Sequence, residues 1–362
     1  MNQCEFERKV PKYERMKRHI LSMIESGELK SGDKLPTEEE LAARFAFSLT
    51  TTRKALTDLA REGVICRIKK KGTFVSSAAI PEPSVPATPR TVSFILPLSE
   101  QMDDTLMQHV RGAQGYFAQR GYSMLIEATN SRIELENQFI DQAIDNQLSG
   151  LIIFPVSPEQ NRNMFLKLKQ HNIPFVLIDR YPEHFPVNSV VCDNFDGTFQ
   201  ATEHLISLGH KNIQFVAAAA SNQAEIVRHS GYATAMQRHG LREDFPVLSF
   251  QEGEAVCRAV QNKEATAFVC GNDYCAVELL RLLSEHGFSV PEDVSLVGFD
   301  GQQITEFLLP PLTTVFQPCF EISQLAAKRL VDMIEKKQHT LEQTIVPIQL
   351  LVRGSTAPPK QE

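Results

Sequence analysis

The stretch SLTTTRKALTDLAREG (48–63) places three consecutive threonines directly before an arginine and a lysine. Hydroxyls and a guanidinium gathered at the start of one helical segment suit phosphate oxygens and base edges, because a hydroxyl both donates and accepts while arginine offers a planar fork of donors. Packing alone does not explain them, since β-branched threonine is a poor helix former. Slightly further on, RIKKKGTFV (67–75) sets Lys69, Lys70 and Lys71 before Gly72 and a strand-like tail. Cations on such a turn would lie along a nucleic-acid backbone, each neutralised phosphate steepening the salt dependence of binding by roughly 0.9 log units. The plainer alternative for both stretches is a solvated polar face. No G-x-S-x-G, H-E-x-x-H, P-loop or strand-borne G-x-G-x-x-G is present, so an enzyme is not expected.

The elements that must carry these residues are legible from periodicity. YERMKRHILSMIESGEL has apolar residues at 16, 20, 23 and 24 and predicts a helix ended by Gly27. LPTEEELAARF predicts a second helix capped by Thr37, with Glu40 completing a capping box. The third helix is capped by Ser48 and closes at Gly63; Thr52, Ala55, Leu56 and Leu59 share its inner face, leaving Thr50, Thr51, Arg53 and Lys54 presented near its N-terminus. GVICRIKKKGTFVSS predicts strand, basic turn, strand, with Gly72 free to take a positive φ at the tip. Charge supports an anionic partner for this part: residues 1–77 carry net +5 within a chain whose formal net charge is −7, leaving −12 for the remainder.

The rest reads differently. SSAAIPEPSVPATPR (76–90) has four prolines and no hydrophobic period, and predicts an extended spacer. Beyond it TVSFILP, YSMLIEA, SGLIIFP, IPFVLID, NSVVCD, NIQFVAA, TAFVCG and DVSLVGFD alternate with helix-length segments. That alternation predicts parallel sheets covered by helices, with both faces of each strand buried, in two α/β lobes. Ligands in such folds sit outside the carboxyl ends of strands, which directs attention to the loops after FILP, LID and GFD. Seven scattered cysteines without a C-x-x-C pair indicate reduced thiols, and neither a disulfide framework nor a metal site. A cytoplasmic protein without membrane segment is expected, because no signal-like or membrane-length apolar run occurs.

The head motif P-x-Y, then G-x-L-x-x-G-x-K-L-P-T-E-x-E-L-A-x-x-F, S-x-x-T-x-R-x-A-L-x-x-L-x-x-E-G and G-T-F-V, resembles the GntR family of bacterial winged helix-turn-helix repressors over about residues 11–77. The resemblance implies that the start of the third helix and the wing contact DNA, with Tyr13 at the start of the first helix and roles for Thr51, Arg53 and Gly72. The DNA-facing set is therefore Tyr13, Thr37, Ser48, Thr50, Thr51, Arg53, Lys54, Lys69, Lys70, Lys71 and Gly72. Glu39 and Leu49 stand where many members have arginine, which implies a different operator and more weight on the lysine wing.

FVLIDR, VVCDNFDGTFQATEHLISLGHKNIQFV, RHSGYATAMQRHG, AFVCGNDYCAVELLRLLSEHGFSVPEDVSLVGFDG and LLPPLTTVFQP together resemble the effector domain of lactose- and galactose-repressor proteins, similar to periplasmic sugar-binding proteins. By motif position the resemblance implies ligand contacts at Asp179, Arg228, Asn272 and Asp300; Arg180 and Tyr181 are expected to line the cleft as well, and Gln101 is added from the loop after the first strand. Carboxylates, an amide and a guanidinium together satisfy both senses of a sugar hydroxyl. Asp193 and Asp273 read as caps or loop ties and His210 as structural, while Cys319 stands where an aromatic is usual. The expected organisation is a winged-helix head at 1–77, a linker at 78–90 and an effector and dimerisation domain at 91–358. Its first lobe spans about 91–192 and 318–346, its second about 193–317 and 347–358. The expected partners are a double-stranded DNA operator, a second copy of the chain and a small sugar, a pentose such as arabinose. No cofactor is expected. The alternative effector is a corepressor such as a purine or nucleoside that strengthens DNA binding.

Overall fold

The computed structural model describes residues 11–30, 32–61, 64–68, 72–76, 90–98, 104–217, 223–241, 244, 246–249, 251–336 and 341–360. The chain divides into two units, Met1–Ala87 and Thr88–Glu362.

In the first unit, α1 (Lys12–Glu25) buries Met16, Ile20, Met23 and Ile24, the apolar stripe of a 3.6-residue period. It stops where Gly27 takes φ +79°. α2 (Glu38–Phe45) begins at Thr37, whose Oγ1 accepts from the Glu40 amide at 3.2 Å while Glu40 Oε2 accepts from the Thr37 amide at 2.8 Å. α3 (Leu49–Arg61) turns Thr52, Ala55, Leu56 and Leu59 into the same core. β1 (Ile65–Ile68) pairs antiparallel with β2 (Gly72–Val75), Ile65 opposite Val75, and closes that core from below. Each fully buried Leu or Ile contributes about 1.5–3 kcal/mol. Gly72 has φ +123°, a backbone conformation that residues with a Cβ rarely adopt, and it is this conformation that requires glycine.

The second unit runs β3 (Thr91–Leu96), α4 (Asp104–Gln119), β4 (Ser123–Ala128), α5 (Ile133–Asp145), β5 (Gly150–Ile153), α6 (Arg162–Gln170), β6 (Phe175–Ile178), β7 (Ser189–Cys192) and α7 (Asn194–Ser207). It continues with β8 (Ile213–Ala217), α8 (Gln223–Arg238), β9 (Val247–Ser249), α9 (Gly253–Gln261), β10 (Ala267–Cys270), α10 (Asp273–Glu285) and β11 (Ser295–Asp300). β12 (Thr313–Phe316), α11 (Cys319–Lys336), β13 (Gln343–Val346) and β14 (Gln349–Leu351) complete it. Two six-stranded sheets result, ordered β13-β7-β6-β5-β3-β4 and β14-β12-β11-β10-β8-β9. All pairings are parallel except that of β14 with β12. The chain passes between the lobes after β7, after β12 and after β13, and α11 returns to pack along α4 in the first lobe.

The eight apolar runs form β3 to β8, β10 and β11, but burial is not uniform among them. β5, β6, β7, β8 and β10 are buried throughout, whereas β4 leaves Leu125 and Ile126 45% and 50% exposed. β4 is the last strand of its sheet, outside the cover that helices give the central strands. The expectation of two buried faces therefore holds for inner strands and fails at this edge. The proline-rich stretch expected as a linker lies outside the described residues up to position 89.

Candidate effector cleft and nucleic-acid interface

The carboxyl ends of the strands face a cleft between the two lobes of the second unit. Asp179 follows β6 and Asp300 ends β11, each with positive φ, +66° and +113°. Both side chains are thereby turned out of the strand course into a cavity of about 350 Å³. Arg180, Arg228, Asn272, Glu225, His109, Phe154 and Gln317 share its wall.

Arg228 sits within α8 with only 6% of its side chain exposed. Its Nε donates to Asn194 Oδ1 and its Nη1 to the Gly271 carbonyl, both at 2.7 Å, while Nη2 donates to Gln317 Oε1 at 3.3 Å. Asp300 Oδ1 lies 3.4 Å from Nη1, and the guanidinium stacks 3.6 Å from the Phe299 ring centroid. Burial alone would lower the Arg228 pKa, but the carboxylates of Asp300, Asp179 and Glu225 outweigh it and hold the charge firmly. Burial pushes the Cys192 thiol beside it up to about 12, which keeps that sulfur protonated.

Gln317 joins the lobes. Its Nε2 donates to Asp179 Oδ1 at 3.2 Å while its Oε1 accepts from Arg228. Arg180 Nε donates to the other Asp179 oxygen at 3.1 Å, and its Nη1 donates to the Val156 carbonyl at 3.2 Å. Burial pushes the Asp179 carboxyl up, yet Arg180, Arg228 and His109 together bring it below the usual carboxylate value, so it stays an acceptor. Behind this layer the fully buried Glu136 accepts from the Val156 amide at 2.6 Å and from Asn161 Nδ2. Its carboxyl is raised by burial against those bonds and Arg180. A continuous polar path thus runs Glu136, Val156, Arg180, Asp179, Gln317, Arg228, Asp300.

Asp179, Arg180, Arg228, Asn272 and Asp300 meet at one cavity, and Gln101 lies outside the described residues. Asn272 has a second duty, because its Oδ1 caps α10 by accepting from the Cys275 amide at 2.8 Å. Asp193 caps α7, accepting from the Asp196 amide at 3.0 Å. Asp273 ties β12 and the loop after β11, accepting from Thr314 Oγ1 and, at 2.7 Å, from the Gln302 amide. His210 is buried among Thr266, Ser295 and the Ala357 carbonyl. Tyr181 lines a neighbouring cavity instead of the main one. Sequence reasoning missed Gln317, Glu225, His109 and Glu136. Only Glu225 left a usable signal, three residues before Arg228 on the same helix face.

In the first unit, Ser48 Oγ accepts from the Thr51 amide at 3.2 Å and lies 2.8 Å from Thr51 Oγ1, so these two hydroxyls build the start of α3 as well as facing outward. Thr50, Arg53 and Lys54 are exposed beside them. Arg53 Nε donates to Glu38 at 2.9 Å, and Arg67 Nη2 reaches the same carboxylate at 3.3 Å, which holds helix and hairpin arginines as a pair. Lys54 Nζ lies 3.9 Å from the Tyr13 ring centroid. Thr37 is occupied by its capping box, and Lys69, Lys70 and Lys71 lie outside the described residues.

Comparison with known proteins agrees with this geometry. Residues 12–75 match the family "Bacterial regulatory proteins, gntR family", and residues 202–356 match the "Periplasmic binding protein-like domain". The chain is 34% identical to the arabinose metabolism transcriptional repressor of Geobacillus stearothermophilus, over 97% of this chain and 99% of that one. The chain belongs to the family of these repressors. It is a transcriptional repressor of GntR and lactose-repressor type, not an enzyme. The repressor is also 27% identical to the CytR repressor of Escherichia coli K12, over 90% of this chain and 98% of that one. Among solved structures, it resembles a lactose-repressor-family regulator of Enterococcus faecium with bound ribose. The TM-score is 0.66 at 27% identity, over 75% of this chain and all of that one. Among the described residues no helix is long and apolar enough to cross a membrane.

Proposed function

We propose that the repressor binds operator DNA as a homodimer through its winged-helix heads and is released when a pentose such as arabinose enters the cleft. The observation that carries this reading is the polar path from Asp179 through Gln317 to Arg228 and Asp300, because it sets acceptors and donors of both lobes around one cavity. Sugar hydroxyls that bond to Asp179 on one lobe and to Asn272 and Asp300 on the other favour a closed arrangement, and an effector shifts the equilibrium by that differential affinity. The names of the arabinose repressor relatives and the ribose-bound neighbour support a pentose. At the head, Thr50, Thr51, Arg53 and Lys54 enter the major groove and Tyr13 steadies Lys54, while the hairpin with Gly72 and Lys69 to Lys71 follows the backbone.

A gel-shift titration with operator DNA tests it. Arabinose is expected to weaken operator binding by at least tenfold, and Asp300→Asn to abolish that response while leaving sugar-free operator affinity in place. A pentose that tightens operator binding would replace induction with corepression, and purines or nucleosides would then be titrated in the same assay.

A further inference from the structure

Directly beside the effector cavity lies a second one of about 350 Å³, and the two share Thr105, Asp300 and Gln317 as a common wall. The outer chamber is bounded by Asp104 and Gln108 of α4, Gly301, and the segment Phe316 to Glu321 that leads from β12 into α11. Its lining differs in kind from the inner one. The inner chamber is dominated by carboxylates and guanidiniums already bonded to each other, whereas the outer chamber presents two aromatic rings, Phe316 and Phe320, 40% and 42% exposed. The small, buried Cys319 lines the same chamber.

Exposed phenylalanine rings at the mouth of a polar cleft are unfavourable in water and suit a flat apolar face such as that of a sugar ring. Asp104, Gln108 and Glu321 at the rim supply acceptors and a donor for the hydroxyls around the edge of such a ring. The two acids also disfavour a phosphate at this place. Asp300 and Gln317, which face both chambers, stand where the link between two rings would pass.

Resting on the reading of the cleft as a sugar site, we infer that the site takes a two-ring sugar: a disaccharide whose first ring occupies the inner chamber and whose second lies against Phe316 and Phe320. Calorimetric titration of the full chain with arabinose, arabinobiose, xylose and xylobiose tests this. Arabinobiose or xylobiose is expected to bind at least tenfold more tightly than its own monosaccharide. In Phe320→Ala the ratio of the two affinities should fall to about one, and in Glu321→Gln, a milder change at an exposed position, it should fall severalfold. Disaccharides that bind no better than monosaccharides, or a gain that survives both substitutions, would overturn the two-ring proposal and leave the sugar site standing. If none of the four sugars binds, the sugar reading fails together with it.

Discussion

Arg228 shows how a single residue both builds and reads the cleft. Its guanidinium is held from several sides: Asn194, Gly271 and Gln317 accept from it, Asp300 pairs with its charge and the Phe299 ring covers one face. Removing one partner from such a buried set leaves the others desolvated and unpaired, which typically costs 3–5 kcal/mol, roughly. Arg228→Met is therefore expected to lower the urea midpoint of the second unit strongly and to abolish effector binding. A variant that loses binding at unchanged stability would show that the bonds to Asn194 and Gln317 contribute nothing to the fold. Arg228, Asp179, Asn272 and Asp300 were legible in the sequence because each stands in a short motif at a strand end or helix face. Gln317 and Glu136 were not. An uncharged glutamine in a crossing segment and a glutamate on an amphipathic helix look the same whether they face water or a buried carbonyl, and only the fold brings them to Asp179 and Val156.

Secondary-structure elements were the most legible scale, since periodicity and caps are local properties. Thr37 and Glu40 announced the start of α2, and the reciprocal bonds of the capping box are present. Thr37→Ala should therefore cost about 1 kcal/mol locally and raise hydrogen exchange at the Glu40 amide by about fivefold. Unchanged exchange there would mean the cap bond adds no protection. A second element-scale expectation concerns Gly298 in β11, where an added Cβ would collide with Asp273 Oδ1 and press on Leu312 at 2.9 Å. Gly298→Ala should cost about 1–3 kcal/mol, read in urea denaturation, because Asp273 is fixed by Thr314 and the Gln302 amide and has nowhere to go. What periodicity could not supply was position within the sheet. YSMLIEA is as apolar as its neighbours, yet β4 is an edge and keeps two large side chains in solvent.

At the scale of the whole molecule, the repressor concentrates positive charge in its head and negative charge in the remainder, and its response to pH is set by what the second unit buries. Burial pushes the Asp273 carboxyl up to about 7, more strongly than the Thr314 hydroxyl, the Gln302 and Gly301 amides and Arg228 draw it down. Its ordinary value is 3.8, so between those limits the folded chain holds a proton that the unfolded chain has released. The stability this group contributes is full below about pH 4, falls by up to about 1.4 kcal/mol per pH unit through that window, and is level above it. Asp179 has the opposite sign: held below its ordinary value, it contributes fully above that value and loses its contribution only in stronger acid. Other groups titrate nearby, His204 and His210 lowered by burial and Glu127 and Glu136 raised by it, so the informative quantity is a difference between two proteins. The amide of Asp273→Asn cannot ionise. Urea unfolding of both proteins at several pH values from about 4.5 to 7.5, followed by circular dichroism, should show the original chain losing ground to the variant as pH rises, then a constant gap above about 7. A gap that stays constant throughout would mean that Asp273 ionises in the folded repressor as it does in the unfolded chain. Its bonds to Thr314 and the Gln302 amide would then be those of a permanent carboxylate tying the loop that follows Asp300 at the end of β11.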